Sequence, residues 1–202
     1  MNNNYKKVYP NLWRRAKNIL ENDGVVVLPT DTLYGVIGCA LSKKAVERIY
    51  KIKGRTESKP FIILVTSLKD IGLFGIKINK DQAKFLEKIW PGKVSVILPC
   101  SLTKWQYLHR GEKSIAFRMV GPKNINLFNL INKVGPLVAP SANKQGESPA
   151  INITQAKSYF NKEVDLYIND GTKTNKPSTI VKFEGNNLIV LRQGGVSINF
   201  KN

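Results

Sequence analysis

The chain has 202 residues and a formal net charge of +18, from 32 Lys and Arg against 14 Asp and Glu. Its 42% hydrophobic content excludes a disordered chain, and no apolar run approaches the ~20 residues a membrane-spanning helix needs. Cys39 and Cys100 lack C-x-x-C spacing, which excludes a zinc ribbon or disulfide scaffold and points to a reducing cytoplasm. The opening Met-Asn-Asn-Asn-Tyr-Lys-Lys has no apolar stretch, so no signal peptide is expected. The length allows one ample core, and we expect a single domain over 1–202 with its core at about 10–196.

The elements follow in chain order. Leu12, Ala16, Ile19 and Leu20 recur at helical spacing, predicting a helix over Asn11–Asn22 that stops at Asp23-Gly24. Val25–Leu28 is short and rich in β-branched residues, a buried strand. It runs into Pro29-Thr30-Asp31-Thr32-Leu33-Tyr34-Gly35, which sets hydroxyls, a carboxylate and a phenol around one turn. Asp31 reads as a turn cap there. Ser42 can cap a helix from Lys43 to about Lys53, with Ala45, Val46, Ile49 and Ile52 facing inward.

Pro60 opens the strand Phe61–Val65. Asn79-x-x-Gln82 resembles a capping box for a helix ending at Trp90-Pro91-Gly92. Val94–Leu98 and Ser114–Arg118 are strands, Leu127–Lys133 a helix, Leu137-Val138 a strand, Thr154–Phe160 a helix and Asp165–Ile168 a further strand. The end reads as a hairpin, Thr179–Phe183 and Leu188–Leu191, joined through Gly185-Asn186-Asn187. Early crossovers and a late hairpin predict an α/β fold: one domain with a twisted, mixed parallel/antiparallel sheet flanked by helices.

Several chemistries are missing. Gly92-Lys93 is followed by Val94, so there is no G-x-x-x-x-G-K-[ST] loop, and no G-x-G-x-x-G follows a strand. The single histidine, His109, reads as an exposed loop residue, so a Ser-His relay has little to build on. Clusters with metal-ligand spacing are also missing.

What remains is cationic and polar. The charge favours polyanionic partners, but 25 of the 32 basic residues are Lys. The seven Arg are the sharper clues, because a planar guanidinium forks onto phosphate or carboxylate. Lys53 and Arg55 flank Gly54 at a helix end, where they can converge on one anion or simply complement the helix dipole. Ser141-Ala142-Asn143 can donate to phosphate oxygens or form a plain turn. Arg118 closes an alternating strand and points opposite to Ile115 and Phe117. Arg192 ends the last strand in the same manner.

Taken together and in order, these segments resemble the threonylcarbamoyl-adenylate synthase family, also called the YrdC or Sua5 family. The resemblance rests on Pro29-Thr30-Asp31-Thr32-x-Tyr34-Gly35, Lys53-x-Arg55, Trp90-Pro91-Gly92, Ala116-x-Arg118, Ala139-Pro140-Ser141-Ala142-Asn143, Ser148-Pro149, Pro177-Ser178-Thr179 and Leu191-Arg192. It spans nearly the whole chain and fits the short, single-domain form with a YrdC/RibB-like fold.

The resemblance implies a nucleotidyltransferase that combines L-threonine, bicarbonate (or CO2) and ATP into threonylcarbamoyl-adenylate, releasing pyrophosphate. Partner proteins would pass the threonylcarbamoyl group to adenosine 37 of tRNA. It also implies roles. Thr32, Arg118 and Ser178 would bind threonine. Lys53 and Arg55 would be catalytic and, with Ser114, Ser141, Asn143, Ser148 and Arg192, would bind ATP. Mg2+ would ride on ATP. The family pattern often has proline after the Lys-x-Arg arginine, where this chain has Thr56, and Thr where it has Ala150. Two other readings stay open: a non-catalytic RNA-binding module using the same basic concavity, and a carbamoyl-adenylate-forming domain of the hydrogenase-maturation kind. RNP-type aromatic clusters for stacking bases are absent.

Overall fold

The computed structural model describes residues 5–56, 58–184 and 187–198. The chain begins with α1 (Tyr5–Glu21), which starts before the predicted Asn11. Next comes a hairpin of β1 (Val26–Pro29) and β2 (Tyr34–Cys39), paired Val26↔Ile37 to Pro29↔Tyr34. The sequence reading missed β2, because two glycines interrupt its β-branched pattern. α2 (Lys43–Lys53) has the expected Ser42 cap, whose hydroxyl accepts from the Ala45 N–H. It ends at Gly54, whose φ of +56° turns the chain sharply.

β3 (Ile62–Val65) leads to α3 (Leu68–Gly72) and α4 (Lys80–Ile89). The predicted capping box on α4 is present: Gln82 N–H donates to Asn79 Oδ1, and the Gln82 amide oxygen accepts from Asn79 N–H. β4 (Val94–Pro99), α5 (Gln106–His109), β5 (Ser114–Met119), α6 (Ile125–Val134), β6 (Leu137–Val138), α7 (Ile153–Phe160) and β7 (Leu166–Tyr167) follow. The hairpin β8 (Thr179–Glu184) and β9 (Asn187–Arg192) forms as expected, although residues 185–186 of its turn lie outside the described residues. His109 corrects an expectation: it closes α5 and is buried, because the short helix folds that polar stretch inward.

Among the described residues, nine strands form one sheet in the order β7-β1-β2-β6-β3-β5-β4-β8-β9. β3/β5, β4/β8 and β1/β7 are parallel and the other pairs antiparallel, so the sheet is mixed, as expected.

Period-two alternation decides where the site can form. Ile63, Val65, Val94, Val96, Ile115, Phe117 and Val181 point to one face, into a core with Ile49 and Ile52 of α2 and Ala156 and Phe160 of α7. On the opposite face α1 and α6 cover only part of the sheet, burying Ala16, Leu20, Leu127 and Ile131 against Val26, Leu28, Ile37, Leu64 and Leu137. Toward β4 and β8 that second face is less covered: Ile62, Ile97, Ala116, Ile180 and Lys182 are only half-buried. A cleft opens there.

Candidate active site

The cleft is a cavity of about 240 Å³ with Ile62, Arg118 and Ile180 on its sheet side. Its rim comes from four places: the β1–β2 turn (Thr30, Thr32), the segment after α2 (Arg55, Pro60, Phe61), the loop after β6 (Pro140, Ser141, Pro149), and the β8–β9 hairpin (Pro177, Ser178, Arg192). Of the residues expected to act, Thr32, Arg55, Arg118, Ser141, Ser178 and Arg192 meet in this one cavity.

The others stand back from it. Ser114 begins β5, roughly 13 Å along the strand from Arg118 at ~3.3 Å per residue. Ser148 is exposed, and its carbonyl accepts from the Tyr159 hydroxyl. Asn143 organises its own loop: its side-chain oxygen accepts from the Ser141 hydroxyl (2.6 Å), and its amide donates to the carbonyls of Lys144 and Glu147. Lys53 is 2% exposed, and its ammonium donates to the carbonyl oxygens of Ser141 and Asn143. Burial, and then the charge of Arg55, push that ammonium from 10.5 down to about 7. It fastens the loop wall from behind and does not line the cavity.

The β1–β2 turn revises the roles of two neighbours. Thr30, not Asp31, closes it: the Thr30 hydroxyl donates to Leu33 O and accepts from the Thr32 and Leu33 N–H groups. Asp31 is freed to pair with Arg118, whose Nη2 donates to its Oδ1 at 2.8 Å, with both side chains under a tenth exposed. The signal for this pair was charge scarcity. A buried Arg needs a counter-charge, and Asp31 is the acid beside Thr32 in a chain poor in acids. Tyr34 also lines the cavity, but its hydroxyl is already spent on backbone. It donates to Gly171 O and accepts from Asp170 N–H, tying the turn to the segment after β7.

Arg55 is held by Lys59 O, which accepts from its Nε at 3.1 Å, and lies over the Phe61 ring at 5.2 Å. Arg192 donates to the Ser178 carbonyl at 2.8 Å, and the Ser178 hydroxyl is bonded to Ser95 at 2.9 Å. Desolvation lowers the pKa of both guanidiniums, and the charge of Arg118 adds to the shift at Arg192. Three guanidiniums thus line one partly dry cavity, with Asp31 beside one of them. Such a site favours ligands with several negative charges.

The hairpin wall depends on Gly194. A Cβ there would meet Pro177 O at 2.3 Å and Thr179 N at 2.5 Å, backbone that cannot yield cheaply. Gly194→Ala is therefore expected to cost about 1–3 kcal/mol in urea unfolding and to displace Ser178. An unchanged midpoint would show that the tail simply moves aside.

The family model for Sua5/YciO/YrdC, described as telomere recombination, matches residues 18–194. The threonylcarbamoyl-AMP synthase of Pyrococcus abyssi is 27% identical over 187 residues, covering 92% of this chain and 54% of that protein. The putative threonylcarbamoyl-AMP synthase of Methanocaldococcus jannaschii is 30% identical over 206 residues, covering 98% of this chain and 96% of that protein. Among solved structures, that of Pyrococcus abyssi Sua5 complexed with L-threonine superposes with a TM-score of 0.82 at 27% identity, over 91% of this chain and 54% of that one. The chain thus spans about half the length of the Pyrococcus relative and nearly all of the Methanocaldococcus one.

Proposed function

The chain belongs to the Sua5/YciO/YrdC family, and from that premise we propose that it is a threonylcarbamoyl-AMP synthase. The observation that carries the reading is the meeting of Thr32, Arg118 and Ser178 with Arg55, Ser141 and Arg192 in one cavity. The first three form the amino-acid end and the second three the phosphate end. The threonine complex of the Pyrococcus relative supports an amino-acid site in this fold.

In this reading the threonine amine attacks the carbon of bicarbonate (or CO2) to give a carbamate, with loss of water from bicarbonate or of the amine's proton when CO2 is the partner. A carbamate oxygen attacks the α-phosphorus of ATP, the bond from that phosphorus to the bridging oxygen breaks, and pyrophosphate leaves with the electron pair. The nucleophile is the substrate's own, so the protein's task is alignment and neutralisation of charge. The Arg118 fork would receive the threonine carboxylate, with Thr32 and Ser178 beside it. Arg55 and Arg192 would face the triphosphate and take up charge as pyrophosphate departs. Ser141 would hold an oxygen between the two ends.

No group of three or more His, Cys, Asp or Glu side chains among the described residues could hold a metal ion. Mg2+ would arrive as part of the ATP substrate, because this ion keeps most of its waters and takes few protein ligands. The product would serve tRNA modification through partner proteins. Among the described residues no helix is long and apolar enough to cross a membrane.

The test is a threonine-dependent assay. The purified chain with ATP, bicarbonate, Mg2+ and L-threonine is expected to release pyrophosphate. Release that ignores threonine, or none at all, overturns the assignment.

A further inference from the structure

The two walls that carry the phosphate end of the cleft, residues 53–56 and 141–145, are braced to each other at two levels. At the inner level the buried Lys53 ammonium donates to the carbonyls of Ser141 and Asn143, and the Gln145 N–H donates to the Lys53 carbonyl at 2.9 Å. At the outer level the Thr56 N–H donates to the Gln145 side-chain oxygen at 2.6 Å. The Gln145 amide donates back to the Thr56 hydroxyl at 3.0 Å. In the chain Arg55 falls between Lys53 and Thr56, the residues that make these bonds on one wall, and both it and Ser141 on the other wall line the cavity.

We propose that Gln145 is a positioning residue: by closing the outer brace on Thr56 it fixes the distance between Arg55 and Ser141, and so the geometry of the triphosphate end. This rests on the synthase reading above and assigns a part to a residue that does not line the cavity. Thr56 is what makes the brace possible. Its backbone N–H is the donor to Gln145, and a proline at this position would have none to give. Here a reciprocal side-chain bond supplies the stiffness.

The brace is exposed, so its loss leaves the fold intact and loosens one spacing. Gln145→Ala is expected to raise the KM for ATP about five-fold and leave kcat and the KM for threonine within two-fold. Gln145→Glu keeps an oxygen to accept from the Thr56 N–H and is expected to restore most of the ATP KM. Amide hydrogen exchange across residues 141–148 is expected to quicken in Gln145→Ala and not in Gln145→Glu, a readout that needs no turnover. The proposal is overturned if Gln145→Ala leaves both the ATP KM and the exchange unchanged, or if the KM for threonine rises as much as that for ATP. A wild-type chain that shows no threonine-dependent release sinks the synthase reading instead; the exchange comparison still decides whether the brace stiffens the loop.

Discussion

Arg118→Lys is expected to lose about two to three orders of magnitude in kcat/KM for threonine. The reason is geometric. Arg118 spends Nη2 on Asp31 and still has a planar face of donors for a substrate carboxylate. An ammonium is a single point charge and cannot serve both partners in one plane. Truncating one member of a desolvated charge pair costs about 2–5 kcal/mol, which is the size of this loss.

Stability separates position from charge. Arg118→Ala leaves Asp31 buried without its partner, and about 3–5 kcal/mol is expected to disappear from the unfolding free energy. Adding Asp31→Asn to Arg118→Ala removes the stranded charge and is expected to recover much of it, because a neutral amide is cheaper to bury. A double-mutant cycle by urea denaturation measures this coupling. Additive losses would mean that Asp31 and Arg118 do not act as a pair.

Lys53→Met is expected to fail in a pH-dependent way. The variant leaves the Ser141 and Asn143 carbonyls without their donor, at about 1–3 kcal/mol each if water does not reach them. The folded-state pKa of Lys53 is about 7 against an ordinary value of 10.5. Between these values the unfolded chain holds the proton and the folded chain does not. The unfolded state therefore binds more protons, and this lysine's contribution makes the native state more stable as pH rises from about 7 toward 10. The span corresponds to on the order of 4 kcal/mol.

The stability gap between wild type and Lys53→Met should therefore widen with pH over that window. Parallel stability curves from pH 7 to 10 would refute the buried titration. Turnover is expected to drop as well, through a loosened Ser141 loop, with the ATP KM more affected than that for threonine.

Much of this was legible in the amino-acid order. The Ser42 cap, the Asn79/Gln82 box and the Gly54 stop are local events, readable because each side chain bonds backbone within a few residues. The alternation in β5 already aimed Arg118 away from Ile115 and Phe117. It could not say that α1 and α6 leave that face less covered toward β4 and β8, since this depends on sheet order. β2 escaped because tertiary pairing overrides two glycines. Gly35 and Gly38 sit where a Cβ would crowd the side chains of Ile37 and Ile49.

The sequence by itself therefore determined most of the elements, though not β2, α3 or α5, together with the family and the Arg55, Arg118 and Arg192 set, because these are carried by short-range pattern and residue type. Only the tertiary structure decided partnership. Asp31 joined Arg118 across 87 positions, Lys53 turned from the cleft to brace the Ser141 loop 88 positions away, and Gln145 reached Thr56. Such choices are made by burial. A charge or amide removed from water must find a partner among whatever the fold brings near, and distance along the chain carries no record of it.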